Sequence, residues 1–245
     1  MEIHPILEQW LDDWVWPTPF RGPGVDFRMR ITRERMVPVW NQRVIRVLEG
    51  VEKMEEGFNR GEYPSALGGY CSEGPHASMN QMATQLLSVS ISQQEDYLDL
   101  LRMRARQLWD EVKHGSLHGD VLVRGGYAKQ EADLMEDAKA NFQGSRSFFG
   151  LVAMFPHIHP LARSCVNYYI EAGACLGIKA TLETTDNSLV VHENLSQYHE
   201  EIMHFMEGKY QMDMFCLTEA EQQPVEETLD FLQSPAFLGS GVIGG

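Results

Sequence analysis

Two Glu-x-x-His motifs, ninety residues apart, are the part of this chain best suited to chemistry. They are Glu111 with His114 and Glu201 with His204 (201 − 111 = 90). On a helix, residues three apart lie on the same face, so each motif presents a carboxylate and an imidazole in one direction. Carboxylate oxygens and imidazole nitrogens are ligands that iron and manganese accept in proteins. Each motif is therefore half of a candidate metal site.

A further candidate ligand stands thirty residues before each motif. In helix bundles that hold two metals, each Glu-x-x-His helix is paired with a helix that donates a lone carboxylate. Glu171 precedes Glu201 by thirty residues (201 − 171 = 30), and Gln81 precedes Glu111 by the same interval (111 − 81 = 30). The pattern is thus repeated twice, with one carboxylate replaced by an amide.

Residues 77 to 206, which contain these motifs, resemble the ferritin-like di-iron carboxylate proteins. These include bacterial multicomponent monooxygenases, phenylacetyl-CoA epoxidase, ribonucleotide reductase small subunits and fatty-acid desaturases. The resemblance implies an all-α fold, with a ferritin-like four-helix bundle core and extra flanking helices. It implies that the two motif glutamates bridge two iron ions, with manganese as the alternative metal. The implied ligands are Gln81, Glu111, His114, Glu171, Glu201 and His204.

Gln81 is the main departure from this family pattern, which has Glu or Asp at the corresponding place. A neutral amide oxygen is a poorer ligand for a hard cation than a charged carboxylate. We therefore expect the first ion to be held more weakly, or the site to be mononuclear or metal-free.

Three residues beside the motifs are candidates for a supporting role. Asp110 and Glu200 directly precede the motif glutamates. The resemblance implies that each supports the histidine of the opposite motif, and the alternative is an ordinary surface charge. His118 follows His114 by four residues, where ribonucleotide reductase small subunits have their radical tyrosine, so reductase activity is not expected. His118 is either an extra ligand or proton relay, or a partly exposed histidine near a helix end.

Cys175 follows Glu171 by four residues, where multicomponent monooxygenases tend to carry threonine beside the oxygen-binding pocket. A buried structural cysteine is the alternative. The surrounding residues 171–177 are unusually small for a helix interior, since glycine costs about 1 kcal/mol relative to alanine there. They either open a pocket for dioxygen and substrate or let two helices approach closely.

The hydrophobic spacing predicts the helices that would carry these residues. One helix is expected over 32–60, and two antiparallel helices are expected over 77–114 with a turn near residues 92–94. Another pair is expected over 161–184 and through His204, followed by a last helix over 218–232. We predict a single domain over residues 1–245, with a core at about 32–209, an N-terminal arm at 1–31 and a flexible tail at 234–245.

Composition excludes several other classes of protein. The formal charge of −15 argues against a surface that binds nucleic-acid phosphates. No apolar run approaches the roughly 20 residues that a bilayer-spanning helix needs. The four cysteines have no Cys-x-x-Cys spacing and no leader precedes them, so a reduced, cytoplasmic chain is predicted.

The motifs and the resemblance to di-iron carboxylate proteins imply a non-haem iron oxygenase or oxidase, an oxidoreductase of the monooxygenase type that acts on a small organic substrate with dioxygen. The residues expected to take part in catalysis are Glu111, Glu201 and Cys175. Electrons would come from a separate reductase, and a homo-oligomer, a dimer, is expected. The alternatives are a metal-poor or non-catalytic subunit of a multicomponent monooxygenase, and a ferroxidase-type iron-binding protein.

Overall fold

A computed structural model describes residues 2–62, 66, 70, 98–134 and 160–235 of the chain. Within these ranges the regular structure is helical and contains no strand. The predicted all-α fold class is therefore confirmed, and the ferritin-like bundle stays a prediction. None of the helices in these ranges combines the length and the apolar character that a membrane crossing requires.

The helices include π-helical turns, whose wider hydrogen-bond spacing adds a residue to the turn. Two such turns join α-helices without a break, so α2 continues into α3 and α5 continues into α6.

The helices predicted over 161–184 and through His204 are confirmed to within a few residues. In chain order the elements are α1 (Pro5–Trp10), a π-turn (Leu11–Val15), α2 (Pro23–Ile31), a π-turn (Thr32–Met36), α3 (Val37–Asn59), α4 (Leu98–Arg124), α5 (Pro160–Val166), a π-turn (Asn167–Glu171), α6 (Ala172–Leu182), α7 (Ser188–Phe215) and α8 (Glu219–Leu232).

The helix predicted to begin at residue 32 begins earlier, at Pro23. Proline is favoured in the first helical turn because its fixed φ suits the helix and its missing N–H needs no partner there. Gly22, with φ 115°, adopts the left-handed conformation that turns the chain into this helix. The predicted arm over residues 1–31 is therefore largely helical.

The chain divides into two compact units. The first contains Met1–Glu52 and Leu161–Asp230, and the second contains Lys53–Pro160 and Phe231–Gly245. The single domain predicted from the sequence stays a prediction. The turn predicted near residues 92–94 and the tail beyond residue 235 lie outside the described residues.

In the first unit, a buried tryptophan anchors the residues before α2, 2–22, here called the N-terminal segment. Trp10 is 1% exposed, and its ring centroid lies 5.9 Å from that of Trp40 and 4.7 Å from that of Phe205. Tilted and edge-on aromatic pairs at such distances stabilise a core beyond their buried area. The segment therefore belongs to the core of this unit.

A buried ion pair joins α2 to α7. Arg28 Nε donates to Asp213 Oδ1 at 2.5 Å, and Arg28 Nη2 donates to Asp213 Oδ2 at 3.2 Å. Arg28 Nη1 also donates to the carbonyl oxygen of Val15, and the Thr18 hydroxyl donates to Asp213 Oδ2. A two-pronged contact of this kind fixes direction as well as distance. The ion pair thus sets how α2 lies against α7.

Lys209 on α7 adds a second connection to the N-terminal segment. Its ammonium group donates to the carbonyl oxygen of Trp14 at 2.9 Å and to that of Pro17. Burial, together with the nearby positive charge of Arg28, lowers the pKa of Lys209 to about 8. Asp213 and Lys209 both lie beyond His204 in the chain. The end of α7 therefore holds the N-terminal segment in place.

Candidate metal centre

Helix α7 carries a row of buried polar side chains along one face. The helix begins at an N-cap, Asn187, whose side-chain oxygen accepts hydrogen bonds from the backbone N–H groups of Leu189 and Val190 at 3.0 and 3.3 Å. Polar residues of these types are mostly exposed in proteins, and burying them is costly unless they are paired or bind a ligand. This buried polar face is therefore a candidate functional site. Its buried polar members are Glu193, Gln197, Glu201, His204 and Glu207, and Gln211 lies beyond them, where it accepts a hydrogen bond from Ser164.

Glu201 and His204 form a close pair in the middle of this face. His204 Nδ1 lies 3.2 Å from Glu201 Oε2, and the two residues are 1% and 6% exposed respectively. The spacing of three residues brings the carboxylate and the imidazole to one side of the helix, as predicted from the sequence. One motif therefore presents a buried oxygen and nitrogen donor pair.

Glu171 is the last residue of the π-turn that joins α5 to α6, and this turn packs against α7. Such turns are frequent at functional sites because the extra residue redirects the side chains that follow. The indole N–H of Trp40 donates to the carbonyl oxygen of Tyr169 within the turn at 3.1 Å. The π-turn is thus held by a bond from another helix, and Glu171 is half-buried at its end.

The thiol of Cys175 is affected by the charges of both Glu171 and Glu201. Burial raises the pKa of the Cys175 thiol well above its usual value, and the carboxylates of Glu201 and Glu171 raise it further. Both carboxylates therefore act on the same sulfur atom from α7 and from the end of the π-turn. The thiol is kept neutral, which suits a wall of the site rather than a nucleophile.

Tyr198 is a residue near this site that the sequence analysis missed. Burial raises its pKa to about 12, and Cys175 is the first of the neighbouring groups that add to the effect. Tyr198 precedes Glu201 by three residues, the same spacing that joins Glu201 to His204. That spacing was the available signal, but an aromatic residue on a helix is more often part of the core than of a site.

Close packing fixes α7 against the segment that leads to Glu171. A Cβ atom at Gly208 would lie 2.5 Å from the carbonyl oxygen of Ser164 and 2.5 Å from the backbone nitrogen of Tyr168. The Ser164 hydroxyl donates to Gln211, and the rings of Tyr168 and Phe205 stack at 4.9 Å. Only glycine allows this approach, which lies one turn beyond His204.

The small residues around Glu171 do not form a comparable contact. Among the described residues, a Cβ atom at Gly173 would meet nothing within 4 Å, and the atoms nearest to one at Gly177 would be side-chain atoms of Arg43 and Val47, at 3.6 Å or more. The close helix approach considered for residues 171–177 is therefore wrong at these two glycines. It occurs at Gly208 instead.

The second unit carries the other motif on α4. His114 Nδ1 lies 3.8 Å from Glu111 Oε2, and these residues are 1% and 9% exposed. Gln107, which is fully buried, donates from Nε2 to Glu111 Oε1 at 3.3 Å. Because α4 continues to Arg124, His118 lies one turn beyond His114, where it is buried rather than partly exposed.

The two acidic residues before the motif glutamates differ in their surroundings. Asp110 is buried, and its carboxylate lies 2.8 Å from Lys113 Nζ and 3.6 Å from Arg106 Nε on the same helix. The interpretation of Asp110 as an exposed surface charge is therefore wrong. Glu200 is half-buried on α7. Their proposed support of the opposite histidine stays a prediction.

The predicted ligands thus fall into two sets. Glu171, Glu201 and His204 belong to the first unit, and Glu111 with His114 belongs to the second. Gln81 lies outside the described residues. Carboxylate oxygens with imidazole nitrogens are a donor set that fits iron or manganese. Comparison of the chain with protein-family models, with curated proteins and with solved structures finds no match in any of the three.

Proposed function

We propose that this chain is a non-haem iron oxidoreductase that activates dioxygen, and that each of its two Glu-x-x-His pairs supplies ligands for iron. The observation that carries the proposal is the repeated burial of a carboxylate beside an imidazole. Glu201 with His204 and Glu111 with His114 are each at most 9% exposed, and each pair occupies one face of its helix. A single pair is explained by local helix geometry, whereas two pairs with the same spacing and burial favour a common role in metal binding.

The electrostatics of these pairs support a cation as their partner. An ionised carboxylate that leaves water needs a compensating charge, and a divalent ion bound to its oxygen supplies one. Glu171 adds a further carboxylate in the first unit, and its charge, like that of Glu201, acts on the Cys175 thiol. A cation bound there would offset the negative charges of Glu171 and Glu201. The resemblance to di-iron carboxylate proteins makes iron the first choice of metal, with manganese as the alternative.

The roles proposed for the chain follow from the chemistry of its side chains. Glu201, Glu171 and Glu111 would supply anionic oxygens, and His204 and His114 would supply neutral nitrogens that leave room for a further ligand. Iron, when bound, would supply the redox chemistry that dioxygen requires. The buried groups would exclude bulk water from the reaction. A small organic substrate, a separate reductase as electron donor, a homodimer and a cytoplasmic location complete the proposal.

A second function is favoured by Gln81, whose amide replaces the family's carboxylate. A weakened or missing first site would suit a metal-poor or non-catalytic subunit of a multicomponent monooxygenase. The five other ligand residues are present in the sequence, which favours the enzyme.

Metal analysis of protein purified from cells supplied with iron tests the proposal. His204→Ala should lose iron, whereas His199→Ala, which removes an exposed histidine from the same helix, should retain it. About two ions per chain would support a di-iron enzyme. One ion, rising towards two in Gln81→Glu, would attribute the weakness to the amide. No bound iron in the parent protein, or equal iron in both histidine variants, would refute the proposal.

A further inference from the structure

The repeated motif is longer than Glu-x-x-His. A glutamine precedes the motif glutamate by four residues in both copies, so that Gln107 leads to Glu111 and Gln197 leads to Glu201 (197 − 107 = 90). Both glutamines are buried, at 0% and 8% exposure. Glutamine is mostly an exposed residue. Its burial at the same place in both copies therefore points to a task beside the glutamate.

The hydrogen bond between Gln107 and Glu111 on α4 indicates the role of this glutamine. Gln107 Nε2 donates to Glu111 Oε1 at 3.3 Å, while Glu111 Oε2 is the oxygen directed at His114 Nδ1, 3.8 Å away. The two oxygens of one carboxylate thus have different neighbours along the helix. The amide holds one oxygen from the preceding turn, and the histidine lies beside the other. A carboxylate offers about four lone-pair positions, so a hydrogen bond to one of them leaves others for a metal.

The geometry on α7 is related. Glu201 Oε2 lies 3.2 Å from His204 Nδ1, so here too one oxygen of the motif carboxylate lies beside the motif histidine. Gln197 lies one helical turn before Glu201 on the same buried face. An amide in this place can reach the remaining oxygen of the glutamate in the same manner.

We infer that Gln107 and Gln197 are positioning residues, each of which orients its motif glutamate for metal binding through an amide hydrogen bond. Glutamine suits this role because it is neutral. A lysine or arginine there would neutralise the carboxylate and repel the metal, and another acid would compete as a ligand. Partners that orient metal ligands typically change metal affinity by about 10–100-fold when they are removed. This inference rests on the proposed metal-binding function.

The test compares Gln107→Met and Gln197→Met with Gln211→Met. Methionine keeps the length of the side chain but removes the amide. Gln211 is a buried glutamine on α7 whose side chain accepts a hydrogen bond from Ser164, so it controls for the loss of a buried polar contact away from the motif. Each protein is titrated with Co²⁺, whose visible absorption bands report both occupancy and coordination geometry. Urea unfolding of the metal-free proteins measures stability separately.

We expect the dissociation constant for Co²⁺ to rise by about 10–100-fold in Gln107→Met and Gln197→Met, with altered absorption bands. Gln211→Met should lose stability and keep the parent's affinity and spectrum. If the parent binds Co²⁺ and both motif variants bind it equally well with the same spectrum, the positioning role is refuted while the proposed function stands. If the parent itself binds no Co²⁺, the proposed function and this inference are both refuted.

Discussion

Gly208 gives the sharpest test of how α7 is held against the segment that carries Glu171. A Cβ atom at this position would lie 2.5 Å from the backbone of both Ser164 and Tyr168, whereas ordinary contact begins at 3.4 Å. Gly208→Ala must therefore separate the two segments by about 0.9 Å (3.4 − 2.5). Both neighbours are backbone atoms, so no change of rotamer can relieve the clash.

The expected loss follows from two opposing effects. Forcing extra volume into a packed interface costs about 1–3 kcal/mol, and backbone-to-backbone contact favours the upper half of that range. Alanine regains about 1 kcal/mol over glycine in a helix. The net loss should be about 1–2 kcal/mol, which corresponds to a fall in Tm of about 2–8 °C for a protein of this size.

Gly173→Ala is the matched control, because a Cβ atom there would meet nothing within 4 Å in the part of the chain that the structure describes. It should gain up to about 1 kcal/mol from helix propensity alone. Thermal and urea unfolding of both variants beside the parent protein measures the difference. The packing argument is refuted if Gly208→Ala is as stable as Gly173→Ala, since propensity would then account for both.

Two further predictions concern the contacts that hold the N-terminal segment. The pKa of Lys209 is lowered from 10.5 to about 8, so its ammonium form opposes folding, and the parent should gain stability over Lys209→Met as pH rises from about 8 to 10.5. The gain should be at most about 3 kcal/mol in the free energy of unfolding by urea, and Lys179→Met is the control for losing a lysine. A free-energy difference between the parent and Lys209→Met that does not vary with pH would contradict this prediction. Asp213→Asn removes one partner of the buried pair with Arg28 and should cost about 3–5 kcal/mol. Glu226→Gln, in an exposed ion pair, should cost no more than about 1 kcal/mol, and equal losses would show that burial of the Asp213 pair has no special weight.

The periodicity of apolar residues was enough to predict the helix pair that leads to Glu201 and His204, and the resemblance implied the all-α class. Spacing along one helix is a local property, so the contact between those two side chains could also be foreseen. The start of α2 was missed because the hydrophobic spacing predicted a helix only from residue 32. Pro23 is in fact a residue that begins a helix.

Burial and packing between helices could not be predicted from the sequence. Gln107 and Gln197 resemble ordinary helix-surface residues until their exposure is known. A surface charge stayed open as the alternative for Asp110 for the same reason. The close approach at Gly208 depends on which helix lies opposite, and a sequence does not specify that pairing. Small residues near Glu171 were therefore considered for a contact that Gly208 makes.

The π-turn at Asn167–Glu171 has a consequence for how other chains should be compared with this one. An additional residue within a helix shifts the phase of everything after it by about 100°. A helical wheel drawn through Pro160–Leu182 as one uniform helix consequently assigns residues beyond 171 to the wrong side. A relative lacking one residue in that stretch would present a different side chain in place of Glu171. The presence of an insertion or deletion between 167 and 171 is thus a more informative criterion for an equivalent of Glu171 than overall similarity.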